Sequence, residues 1–162
     1  MTMSLQEHKE KELSTDSTND GTVNDCVFCK IVRGEREATV VYGDDRVLSF
    51  ADIFPLQRGH LLIIPKEHVE NIYELDEELA GYLFCITTKL AKVLKSVLKP
   101  DGMNIHQSNG RAAGQDVFHL HLHIIPRYGD QRLYLTTRRR VERDELERIF
   151  QPVRRVLDDL KP

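Results

Sequence analysis

Cysteine is scarce in this 162-residue sequence, with three in all, and none is part of a regular framework. A small, odd count does not build a disulfide scaffold, so reduced thiols and an intracellular setting are expected. No apolar leader opens the chain, and no apolar run approaches the length of a bilayer span. A cytoplasmic protein with no membrane partner is the expectation. Basic excess is missing as well. Lys and Arg total 23 against 26 for Asp and Glu, giving a net charge of -3. That balance removes the field a non-specific nucleic-acid binder needs, with Arg138-Arg139-Arg140 as a local exception, so no nucleic-acid partner is expected.

What is present suffices for one core. The chain is 40% hydrophobic and 30% charged, and its length favours one domain over two. Residues 1–24 are almost wholly polar and charged. Such a segment cannot offset its ordering entropy by burial, so a disordered tail is expected there, with the folded domain over 25–162.

The most informative stretch is Phe118-His119-Leu120-His121-Leu122-His123-Ile124-Ile125-Pro126, where three of the seven histidines alternate with apolar residues. Alternation of this kind reads as a half-buried strand, with His119, His121 and His123 on one face and Leu120, Leu122 and Ile124 toward a core. Neighbouring imidazoles on that face would stand roughly 7 Å apart, near enough for all three to share one phosphate-sized group or one metal. Imidazole titrates near neutrality and also binds metals, so the row alone leaves acid-base, nucleophilic and metal chemistry open.

Other elements follow from local pattern. Thr39 to Tyr42 and Arg46 to Ala51 read as strands of a hairpin turning at Gly43-Asp44-Asp45, and Leu61 to Pro65 reads as a strand buried on both faces. From Asp76, a fair N-cap, apolar residues recur at helical spacing to Val97, with Pro100 beyond the end. Gly102 to Ser108 reads as a strand entering the Gly-rich turn Asn109 to Gly114. A charged helix is expected from Glu142, with Leu146, Ile149, Phe150, Val153, Val156, Leu157 and Leu160 as its apolar side and Pro152 as a possible kink.

Cys26 and Cys29 can turn toward one metal ion, but two ligands do not make a site. Cys85 lies alone within a predicted helix, so His68 or a triad histidine would have to complete the set. The plainer reading is two small buried hydrophobes. A redox motif is disfavoured because nothing before Cys26 reads as a strand.

His119 to Ile125 matches, at every position, the His-φ-His-φ-His-φ-φ signature of the histidine triad (HIT) superfamily, and the approach Asn109 to Val117 resembles its Hint-type and bacterial branch. The likeness runs from about Cys26 to Tyr128. It implies an α+β HIT fold, an antiparallel sheet with a long core helix and a C-terminal helix, forming a homodimer that binds purine nucleotides. It also implies cleavage of bonds to the α-phosphate by a nucleotide hydrolase or nucleotidyl transferase. By the same resemblance, Cys26, Cys29, His68 and His119 would hold a structural zinc. Ile31, Phe50 and Ile53 would flank the base, and Asp52 would hold the ribose hydroxyls. The Gly-rich approach, with Ser108, Gly114, Gln115, Asp116 and Val117, would meet the phosphate. Among the catalytic histidines, His121 would be the nucleophile. His123 and His60 would contact phosphate oxygens, and His119 would hold the row or bind zinc.

Neutral imidazole is nucleophilic without prior deprotonation and leaves readily when water attacks, which suits a two-step phosphoryl displacement. No carboxylate cluster suited to Mg²⁺ is visible, so that ion is not expected to be required. Two positions depart from the family pattern. Ser108 stands where Asn or Gln is common, and Asp116 where Ser or Thr is common. An ionised carboxylate near phosphate is repulsive, which leaves the leaving-group preference open. The expected activity is hydrolysis of nucleoside phosphoramidates to a nucleoside monophosphate. Alternatives are hydrolysis of dinucleoside polyphosphates, a zinc metallohydrolase using His119, His121 and His123, and a nucleotide-binding interaction protein with incidental turnover.

Overall fold

The computed structural model describes residues 24–129 and 139–160. The polar tail expected at the N-terminus, Asn24 apart, and the stretch before Arg139 lie outside the described residues.

Five strands form one antiparallel sheet in the order β1-β2-β3-β5-β4: β1 Val40–Gly43, β2 Val47–Ala51, β3 Leu61–Pro65, β4 Gly102–His106 and β5 Leu122–Arg127. The β1-β2 hairpin is pinned by Asp44, whose carboxylate accepts the Arg46 and Val47 N–H groups, each at 2.9 Å. Such a carboxylate supplies the local acceptors a tight turn needs.

Two long helices cover one face. α2, Glu77–Leu98, starts at Asp76, whose carboxylate accepts the N–H groups of Glu78 and Leu79. α3, Arg143–Asp159, runs through Pro152 and buries Leu146, Phe150, Val153 and Leu157. Leu160 follows the helix end and is exposed, contrary to its expected place on the apolar side. These helices pack on Leu61, Ile63, Leu120 and Ile124 to form the main core. The sheet's other face carries a smaller cluster of Phe50, Leu62 and Ile64 with Phe28 and Cys29. The latter two belong to a short helix, α1 (Val27–Val32), capped by Cys26. Cover on both faces explains why every residue of β2 and β3 is buried.

The histidine-bearing strand begins later than its alternation implies, at Leu122 rather than Phe118. β3 ends in Pro65, which has no N–H to continue a ladder. The carbonyl of Pro65 instead accepts the ring Nε2–H of His119 at 2.9 Å, while the Leu120 N–H donates to Val69 at 2.6 Å. Side chains still alternate through this bend. Leu120 and Ile124 are buried in the core, with Leu122 partly buried against it.

Candidate functional site

The bend divides the histidine row between two neighbouring places. His119 is fully buried and directs Nδ1 toward the cysteine pair, 3.4 Å from Cys26 Sγ and 3.5 Å from Cys29 Sγ. His121 and His123 instead line a cavity of about 700 Å³, with ring centroids 4.9 Å apart. The expectation that all three could work on one group is therefore corrected, because two of them face the cavity and the first faces sulfur.

His121 donates its Nδ1–H to the carbonyl of His119 at 2.7 Å. That bond leaves Nε2 as the nitrogen with the lone pair. Burial lowers the affinity of His121 for a proton, against the opposing pull of the His119 carbonyl and of Asp52 and Asp116. The imidazole is thus held neutral. The ring edge of Phe28 packs against it, with centroids 5.3 Å apart.

His123 is fixed from behind by His60, which is almost fully buried. Leu56 N–H donates to His60 Nδ1 at 3.1 Å, so His60 Nε2 carries the hydrogen and donates to His123 Nδ1 at 2.9 Å. Nε2 of His123 is then the N–H of that ring, available as a donor. Burial, followed by the neighbouring His121 and His60, pushes His123 down to about 3. Direct phosphate contact was expected of His60, yet the structure places it behind His123 and off the cavity wall. Asp52 Oδ2 lies 3.5 Å from His60 Nδ1, and Asp52 Oδ1 accepts the Phe54 N–H at 2.8 Å.

Ile31, Phe50, Asp52, Ile53, Ser108, Gly114, Asp116 and Val117 all line the cavity. Gln115 does not. Its side chain is buried, accepts the Gly110 N–H at 2.7 Å and donates to the carbonyls of Glu70 and Val117. A long amide spent on three backbone groups locks the loop rather than meeting a ligand. Gly110 and Gly114, at φ 82 and 84, let this loop take left-handed conformations that residues with a Cβ rarely adopt.

Sequence reasoning missed three features of the site. His106 also lines the cavity, 5.8 Å from the His123 ring, and pairs with Ser108 Oγ at 3.0 Å. Asn104 and Arg127 extend the wall beyond it. The signal was strand register, since β4 places His106 opposite His123, and register is not visible until the two strands are paired.

Behind the cavity, Cys26, Cys29, His68 and His119 bring one donor atom each to within 4.8 Å of one another. Cys29 Sγ is 3.2 Å from His68 Nδ1. A tetrahedral ion at ordinary Zn–S and Zn–N bond lengths separates such S and N atoms by about 3.6 Å, so this set fits a four-coordinate metal. His119 has the second contact that such a ligand needs, its Nε2–H on Pro65. Burial lowers His119 to about 4, the neutral ligand form. Burial and the adjacent Cys26 push the Cys29 thiol up to about 11, and a bound cation would reverse that. A second group, Asp52, His60 and His123, also has its ligand atoms within 4.8 Å. Its imidazoles are already paired with each other.

Among the described residues, no helix is long and apolar enough to cross a membrane. Comparison with known proteins agrees with this architecture. The chain is 48% identical over 104 residues to protein hit of Bacillus subtilis, across 64% of this chain and 72% of that protein. It is 39% identical over 122 residues to an adenylylsulfatase of Arabidopsis thaliana, across 72% of this chain and 62% of that protein. Among solved structures, a zinc-bound histidine triad family protein from Mycobacterium smegmatis superposes with a TM-score of 0.75 at 35% identity. That superposition covers 86% of this chain and 100% of the other. The HIT domain family matches residues 33–130. Because that match spans more than half of the sequence, the chain belongs to the histidine triad (HIT) family.

Proposed function

We propose that this protein hydrolyses purine nucleotides at the α-phosphate, of the nucleoside phosphoramidate type, through a nucleotidyl intermediate on His121. One observation carries the reading. The His121 Nδ1–H is committed to a backbone carbonyl at 2.7 Å, which presents a neutral Nε2 lone pair on a ring lining the cavity. Similarity to an adenylylsulfatase supports an adenylyl-bearing substrate.

In the first step, His121 Nε2 forms a bond to the α-phosphorus while the bond to the leaving nitrogen breaks, and that nitrogen takes up a proton from solvent. Water then attacks phosphorus and gives up a proton to solvent, the P–N bond to His121 breaks, and a nucleoside monophosphate leaves. The Nε2–H of His123 faces a non-bridging oxygen, where a fixed donor matches developing charge. His60 positions His123 through their 2.9 Å bond. The nucleoside lies over Phe50, Ile31 and Ile53, with Asp52 accepting ribose hydroxyls. Cys26, Cys29, His68 and His119 hold a zinc ion that cross-links the fold and takes no part in the chemistry. The outer edge of β4, with Ile105 39% exposed, supports pairing with a second copy as a homodimer. A monomeric mass by light scattering would overturn that assembly.

Acid quenching of the enzyme during turnover of an adenosine phosphoramidate tests the intermediate. Mass spectrometry should find adenylate on His121 and none in His121→Ala. A quench with no adduct during rapid turnover would favour direct attack by water. Negligible turnover of the phosphoramidate would instead favour the dinucleoside polyphosphate and binding-protein alternatives.

A further inference from the structure

The cavity extends along the sheet past the place proposed for the nucleoside, and strand register shows how it is divided. Phe50 pairs with Leu62, Leu62 with His123, and His123 with His106, so one row of cavity residues crosses β2, β3, β5 and β4. The nucleoside proposed above occupies the β2 side of this row. On the β5-β4 side the wall continues through Ile125 to Arg127, two and four residues beyond His123 on the same face.

Arg127 is unusual there. Its Nε donates to Asn104 Oδ1 at 2.8 Å, while its Nη1 is buried with no hydrogen-bond partner among the described residues. A buried guanidinium donor without an acceptor is unfavourable, and it gains most from a charged oxygen that arrives with a ligand. Neither the nucleoside nor the phosphoryl step uses this residue.

We infer that the β5-β4 arm receives the leaving group, and that Arg127 selects leaving groups bearing an anionic terminus, a carboxylate or a phosphate, several bonds from the scissile one. Asn104 aims the guanidinium, and Ile125 supplies apolar wall between it and His123. This inference rests on the hydrolase reading above.

Three substrates test it: the adenosine 5′-phosphoramidates of butylamine, of 4-aminobutyrate and of 3-aminopropyl phosphate. The wild-type protein should show a higher kcat/KM for at least one anionic leaving group than for butylamine. That preference should fall about tenfold or more in Arg127→Gln, as expected for a lost charge-assisted contact. Arg127→Lys should retain part of it. Loss confined to 4-aminobutyrate assigns the terminus as carboxylate, and loss confined to 3-aminopropyl phosphate assigns it as phosphate. AMP binding by calorimetry verifies that each variant is folded with its nucleoside arm intact. Equal kcat/KM for neutral and anionic leaving groups in the wild type, or a preference unchanged in Arg127→Gln, would overturn the role of Arg127. Failure of the wild type to turn over any of the three would instead overturn the hydrolase reading.

Discussion

Removing the metal should lower stability by an amount that follows from where its ligands lie in the chain. The proposed site ties Cys29 to His68 and to His119, 39 and 90 residues away. A cross-link closing loops of that size restricts the unfolded chain by about 4 kcal/mol. Mass action gives a similar figure, since metal held at about a thousand times its dissociation constant stabilises by about 4 kcal/mol. For a chain of this length each kcal/mol moves Tm by roughly 2–4 °C, so chelation should lower Tm by about 8–16 °C. Cys29→Ser should reproduce that loss and show no further response to chelator. The exposed thiol of Cys85 provides a control, because Cys85→Ser should leave Tm and metal content unchanged. Calorimetry with elemental analysis reads all three proteins. A Tm unmoved by chelator in a metal-loaded sample, or a full zinc complement in Cys29→Ser, would refute a structural ion at these residues.

Two further outcomes follow from packing and titration. His123 falls from an ordinary value of 6.5 to about 3 in the folded protein, chiefly through burial, so the unfolded chain binds the proton more readily. Its contribution to stability is present above pH 6.5 and is lost as pH falls from there toward 3. Tm should therefore decline less steeply with acid in His123→Asn than in the wild type, and equal slopes would count against this titration. Gly59 precedes His60 at φ +86, and a Cβ there would meet Leu98 Cδ1 at 2.5 Å and Pro126 Cγ at 3.2 Å. Gly59→Ala should cost about 2 kcal/mol in strain and overpacking and slow turnover by shifting His60; wild-type Tm in that variant would show that the contact relaxes freely.

Much of the fold was legible because its signals are local. Asp76 caps α2 as its position before a helical apolar pattern implies, and β3 is buried on both faces as its unbroken apolar run implies. α1 escaped notice because six residues carry too little periodicity to register. Alternation across Phe118 to His123 implies a paired strand, yet side chains also alternate through the bend before Leu122, where the Leu120 N–H is bonded to Val69. Asp52, Ser108 and Asp116 line the cavity. Gln115 looked equally suited to a ligand, but its amide is consumed by the backbone of its own loop and of Glu70. Arg127 and His106 depend on β4-β5 register, which no single stretch of sequence reveals.

The stereochemical course at the α-phosphorus bears on the His121 intermediate without needing to trap it. Hydrolysis of an adenosine phosphorothioamidate of known configuration in ¹⁸O-labelled water can be followed by ³¹P NMR. Two in-line displacements, onto His121 Nε2 and then onto water, predict overall retention. Inversion would mean that water attacks directly, and would contradict His121 as the nucleophile.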